Sequence, residues 1–182
     1  MTGTRVVALL RGINVAGKNL ISMPDLVRAL EKAGHHAVET YIQSGNVFFD
    51  SEGPRVDVER AVQDVIKDRF KLTIPTIART AVDWKKLCTA APFEDAQRER
   101  PKFLHVGLAK QKLNPSVVEA LMAKATTERV EIHGETIFID FFEGAGRSKL
   151  TPSVIDKAAG SAVTLRNWNT TLEIARRLGV VP

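Results

Sequence analysis

The stretch TYIQSGNVFFD, residues 40–50, decides the fold. Strand-like segments at about 38 to 43 and 46 to 50 flank QSGN, whose Ser44-Gly45 pair suits a tight hairpin turn. A hairpin here means antiparallel pairing, which argues against a parallel sheet.

Toward the N-terminus, Ser22 caps a helix with Pro24 and Asp25 in its first turn, Met23, Leu26, Val27 and Leu30 on one face, and Gly34 as its stop. Residues 5–11 before it read as a strand. In the other direction Val58, Val62, Val65, Ile66 and Phe70 recur at helical spacing, and Thr73 to Arg79 reads as a strand. The order is β-α-β-β-α-β, a ferredoxin-like unit. Val6, Val7, Ala8, Leu9 and Leu10 are apolar without alternation, so both faces of the first strand are expected to be covered.

The same order then recurs. A linking segment contains a short helix around Asp83 to Thr89, and Lys102 to Ala109 reads as a strand. Asn114-Pro115 opens a helix with Val117, Val118, Leu121 and Met122 inward, and VEIHGETIFIDF turns at His133-Gly134. Thr151-Pro152 opens a helix that stops at Gly160, Ala162 to Arg166 is a strand, and a last helix runs from about Thr170, with Glu173 closing a capping box, to Gly179. The predicted fold is α+β: two tandem ferredoxin-like β-α-β-β-α-β lobes packed together, with a C-terminal helix. The lobes span 1–80 and 102–182, with 81–101 linking them and the last helix in the second.

Composition narrows function only slightly. With 44% hydrophobic and 26% charged residues, the 182-residue chain is an ordinary globular protein. Its net charge of +5 is spread evenly, 13 Lys+Arg against 10 Asp+Glu in residues 1–90 and 13 against 11 in 91–182, so there is no basic arm. The single Cys88 excludes an intrachain disulfide, and the apolar run at 6–10 is too short to cross a bilayer. A cytoplasmic setting with no membrane partner is expected, and oligomeric state stays open.

RGINVAGKN, residues 11–19, comes within one residue of a nucleotide-phosphate loop. Asn19 is a poor magnesium ligand and the next helix has its own cap at Ser22; Asp50 could be nominated as a magnesium-holding acid at a strand end, but such loops belong to parallel sheets and this chain reads as antiparallel hairpins, so NTP hydrolysis is not expected. Arg11, Asn14, Lys18 and Asn19 do form an acid-free set fit to hold an anion. GAGRSKLTP, residues 144–152, and TLRNWNT, residues 164–170, are similar, with Trp168 read as closing a core and Asn169 as a helix cap. Phe48 and Phe49 lack the pattern of an RNA-recognition sheet, the four histidines lack metal spacing, and no catalytic triad assembles.

ALLRGINVAGKN, MPDLVRALEKAG, TYIQSGNVFF, RSKLTP and TLRNWNT together resemble the bacterial family called domain of unknown function 1697. The resemblance implies a cytosolic α+β protein of two similar lobes and brings no reaction with it. Candidate ligand-binding residues are Arg11, Asn14, Lys18, Asn19, Gln43, Ser44, Asn46, Arg147, Lys149, Arg166, Asn167 and Asn169, with no metal, no cofactor and no catalytic residue assigned. The leading expectation is binding of an anionic small molecule or a nucleic-acid backbone. The alternatives are a small-molecule transferase or isomerase, and loops that only join the lobes. RGINVAGKN and QSGN are expected at opposite ends of the first sheet, as are GRSKL and TLRNWN in the second, so a shared site is expected between lobes.

Overall fold

The structure is a computed structural model and describes residues 3–180. In the first half β1 (Thr4–Leu10), α1 (Met23–Lys32), β2 (His36–Tyr41), β3 (Asn46–Ser51), α2 (Arg55–Phe70) and β4 (Thr76–Thr80) follow the predicted order. The strands form a sheet in the order β2-β3-β1-β4 with antiparallel neighbours throughout. Ser22 caps α1 by accepting from the Asp25 N–H, and Gly34, at φ 94°, ends it.

The linking segment holds two helices, α3 (Ala81–Thr89) and α4 (Glu94–Glu99). The second is absent from the sequence reading because its six residues hold five polar ones and a single apolar Ala96, too few to display an apolar stripe. Then β5 (Leu104–Leu108), α5 (Ser116–Met122), β6 (Arg129–His133), β7 (Thr136–Asp140), α6 (Pro152–Ala159) and β8 (Thr164–Asn167) repeat the plan, with sheet order β6-β7-β5-β8. Thr151 and Gly160 bound α6 as predicted.

The last helix, α7 (Trp168–Arg177), starts two residues before the predicted Thr170. Asn167 Oδ1 accepts the Thr170 N–H at 2.9 Å, so Asn167 rather than Asn169 caps it, and Thr170–Glu173 is not its capping box. The described residues divide into two compact units, 3–85 with 174–180, and 86–173. The sequence reading keeps all of α7 in the second half; instead its end belongs with the first unit, where Arg177 lies 4.8 Å over the Tyr41 ring and 3.4 Å from Glu39.

Each unit has its own core. In the first, Val6, Ala8 and Leu10 of β1 cluster with Leu26 and Leu30 of α1 and with Val58, Val62 and Ile66 of α2. Val7 and Leu9, on the other face of β1, are fully buried too, as the unbroken apolar run predicts. In the second, Ile137, Ile139 and Phe141 pack with Val117, Leu121 and Ile155.

Gly107 of β5 exists because of that second core. A Cβ there would lie 2.5 Å from Ile137 Cγ2 and 2.8 Å from Val163 Cγ1. Gly107→Ala is expected to destabilise the protein by about 1–3 kcal/mol, the usual cost of overpacking. Urea unfolding checks this, and an unchanged midpoint would show that this core has slack.

Candidate functional site

The sheet order corrects one expectation directly. One antiparallel strand, β3, lies between β1 and β2, so β1 and β2 run parallel and the β2–β3 turn falls at the C-terminal end of β1. RGINVAGKN and QSGN therefore share one end of the first sheet. The β4 start joins them there, because β4 also runs antiparallel to β1. Backbone bonds tie the three connections: Leu10 N–H to Gly45 O at 2.8 Å and Arg11 N–H to Pro75 O at 3.0 Å.

Asn14 is the centre of this loop end. Its Nδ2 donates to Ile21 O and Gln43 O, both at 3.0 Å, while Oδ1 accepts the Ile21 N–H at 2.9 Å. One amide thus closes the 11–22 connection on itself and joins it to the β2–β3 turn. Asn19 Nδ2 donates to Gly12 O at 2.9 Å, a second staple across the same loop. Asn46, fully buried, donates to Tyr41 O and so fixes the four-residue turn 42–45 from inside. Gly45 is needed there: its φ is 78°, and a Cβ would lie 2.7 Å from Ile13 Cδ1 and from Leu10 Cβ.

The backbone at this end is strained. Asn14, Ala16, Asn19, Ile42 and Lys71 hold positive φ, five of the eight non-glycine residues that do so among the described residues. For β-branched Ile42, at φ 51°, the conformation is a true outlier, and strain of this kind gathers at functional sites. Ala16 and Gly17 form the centre of a left-handed turn closed by Lys18 N–H to Val15 O at 3.0 Å.

The loop end is also acid-free. Residues 11–22, 42–45 and 71–75 contain no Asp or Glu and carry Arg11, Lys18 and Lys71. Lys18 and Lys71 are exposed and Arg11 is half-buried. Asp25, in the first turn of α1, is paired with Arg28, whose hydrogen bond holds its carboxyl below the usual range. Asp50, the acid nominated for a metal, lies at the far end of β3 beside Arg5.

Lys71 escaped the sequence reading. Its signal was topological: the connection into β4 had to return to the same end as RGINVAGKN once the sheet was known to be antiparallel.

The second unit has no equivalent loop end. Twelve residues separate β1 from α1 but seven separate β5 from α5, and the hairpin turns hold four residues against two. GRSKL follows β7, and TLRNWN is β8 with the first two residues of α7; β7 and β8 both run antiparallel to β5, so GRSKL and the end of TLRNWN share one end rather than opposite ends. That end is rich in acids. Ser148 Oγ donates to Glu128, and Glu128 also accepts the Thr126 and Thr127 N–H groups. Burial pushes the Glu128 carboxyl up, but these hydrogen bonds outweigh it and hold the group at about 2, too weak a base for proton transfer at neutral pH.

Next to it, buried Asp140 accepts from Arg100 Nη2 at 2.8 Å and Arg129 Nη2 at 2.7 Å, and both guanidinium groups also reach Asp95. Arg147, Lys149 and Asn169 are exposed at this end, whereas Arg166 is buried and donates to Leu165 O at 2.8 Å. Burial pushes the Arg166 guanidinium down to about 10, still charged at neutral pH. Trp168 is buried in keeping with a core role, and Phe48 and Phe49 are fully buried, so neither is presented to a base. Burial raises the Cys88 thiol to about 12, which leaves it unreactive.

The match to a family model covers residues 3–138, three quarters of the chain. The chain belongs to the DUF1697 family, proteins of unknown function. The matched segment contains RGINVAGKN, QSGN and Lys71, and it stops short of RSKLTP and TLRNWNT. The fold is also that of a conserved bacterial protein, SP0830 from Streptococcus pneumoniae, which is 23% identical, with a TM-score of 0.75 over 96% of this chain and 98% of that one. No curated protein matches. No helix among the described residues is long and apolar enough to cross a membrane.

Two predictions test this geometry. Asn14→Ala removes the donor to Ile21 O and Gln43 O and the acceptor for Ile21 N–H, and is expected to cost about 1–3 kcal/mol in urea unfolding. A change below about 0.5 kcal/mol, the range of ordinary surface substitutions, would refute the staple. The second concerns acid. Asp95 is held at about 2, chiefly by hydrogen bonds from Arg129 and Arg100; for Asp140, burial raises the carboxyl but hydrogen bonds from Arg100 and Arg129 lower it further. Their folded values lie below the unfolded ones, so this stability is present above about pH 4 and is lost as pH falls toward 2. Asp140→Asn should flatten that acid limb and cost about 1.5–3 kcal/mol at neutral pH, because two guanidinium groups lose charged hydrogen bonds to a buried partner while keeping Asp95.

Proposed function

We propose that the first unit binds a phosphorylated or otherwise anionic partner at its loop end, through Arg11, Lys18 and Lys71 with neutral donors from Gln43 and Ser44. One observation carries the reading: three connections converge there without a carboxylate, while Glu39, Asp50 and Glu52 belong to the other part of the sheet and its far turn. An approaching anion meets cations and amide or hydroxyl donors in these connections, and the carboxylate of the adjoining α1 turn, Asp25, is already paired with Arg28.

Asn14, Asn19 and Asn46 support binding indirectly, since their amides are already used to hold the backbone in place. Rigid loops lose less entropy when a ligand arrives. The same three connections hold no histidine either, so no proton acceptor stands among them. That favours binding over the transferase or isomerase reading. The setting this reading assumes is the cytoplasm.

Thermal melting against inorganic pyrophosphate and ATP tests the proposal. A ligand at ~100 times its Kd adds about 2.7 kcal/mol, so the melting temperature is expected to rise by several degrees. The double variant Lys18→Ala, Lys71→Ala, at two exposed positions, should melt like wild type without ligand and lose the rise. No rise at millimolar anion, or a full rise in the double variant, overturns the assignment.

A further inference from the structure

The loop end carries a second chemistry beside its charge. Val15 is 61% exposed, Leu20 68% and Ile42 48%, three of the seven large hydrophobic side chains left exposed among the described residues. Val15 and Leu20 flank the left-handed turn at Ala16-Gly17, and Ile42 opens the neighbouring turn that Asn14 binds. The tip stands out into solvent: a Cβ built at Gly12 or Gly17 would meet nothing within 4 Å. The exposed tip, held in place by its amide staples, presents these side chains to a partner.

Cations beside aliphatic tips, with no carboxylate among them, complement a target whose anionic groups closely flank apolar faces. Duplex DNA has that arrangement, with phosphates bordering stacked bases. Proteins that enter its minor groove wedge aliphatic side chains into a base step while Arg and Lys hold the adjacent backbone. Single-strand platforms instead stack bases on aromatic rings, and residues 11–22, 42–45 and 71–75 contain no aromatic residue.

We propose that this loop end is a duplex-DNA contact in which Leu20 and Val15 enter a deformable base step and Arg11, Lys18 and Lys71 hold the neighbouring phosphates. The proposal rests on the anion-binding reading and names its partner. Pyrimidine–purine steps unstack most readily, so duplexes with a central TA step should bind best.

The test is fluorescence anisotropy of labelled duplexes of about 20 base pairs, with and without a central TA step, run beside pyrophosphate titration and sedimentation with anionic phospholipid vesicles. Val15→Ser with Leu20→Ser, both surface changes, should leave folding and pyrophosphate binding intact. The same pair should weaken duplex binding by about tenfold or more, as withholding two aliphatic side chains from burial requires. Arg11→Ala with Lys18→Ala should weaken both ligands and lower the salt slope by about one per cation removed.

Pyrophosphate binding without duplex binding overturns the DNA assignment and leaves the anion site standing. Duplex binding that is indifferent to Val15 and Leu20 overturns the wedge. Vesicle binding that depends on Leu20, without duplex binding, replaces DNA with a membrane surface. Failure of every ligand removes both readings.

Discussion

The Asn14 side chain is the constraint on which the loop end depends. Its amide makes bonds to the 11–22 connection and to the β2–β3 turn at once, so two segments nearly thirty residues apart in sequence keep one geometry. Asn is suited to the position twice over, because its amide both donates and accepts and because it tolerates the left-handed backbone found at φ 53°. With that tie in place, strain at Ala16 and Ile42 can persist, and the tip and its cations are held ready. Without it the connection would be a long flexible loop, and ordering it on binding would cost conformational entropy residue by residue.

Charge follows the strand directions in both units. Register places Asp50 of β3 opposite Arg5, two residues from the Val7–Phe48 pair, and Asp140 of β7 opposite Leu104, two residues from the Val106–Phe138 pair. The two aspartates thus hold equivalent positions, and each is neutralised by arginine, Arg5 in one unit and Arg100 with Arg129 in the other. Acids gather at the start of the first strand of each unit. The far end of the first unit holds Arg11, Lys18 and Lys71, and five of the positive-φ non-glycine residues and the exposed Val15, Leu20 and Ile42 are found there.

The order of elements was legible because each signal was local. Ser22 and Thr151 cap helices, Gly34 and Gly160 stop them, and the apolar run at 6–10 reports burial of both strand faces. The arrangement of loops was a different matter, since it depends on which strand lies between which. A hairpin reading already implies antiparallel neighbours, yet the step from there to parallel β1 and β2 needs β3 placed between them. Missing that step put RGINVAGKN and QSGN at opposite ends and hid Lys71. The Asn residues were recognised as special by type, but whether an amide faces a ligand or a carbonyl is set by backbone that folds from elsewhere in the chain.

The internal repeat separates scaffold from function without reference to any other protein. Arg79 pairs with Val7 and Arg166 with Val106, equivalent positions in the two sheets. Both arginines are buried, and each donates to the preceding carbonyl, Ala78 O or Leu165 O, at 2.8 Å. Chemistry repeated at the same register in both units belongs to the fold, so Arg166 reads as scaffold although its neighbours in sequence look like a ligand loop. The acid-free tip has no repeat: the second unit closes the same connections with seven and two residues in place of twelve and four. A longer connection costs little in closure entropy, but it brings strain and exposed Val15 and Leu20 that the fold itself does not need. Features that one copy of a repeated unit carries at a cost and the other copy does without are where a partner is to be sought.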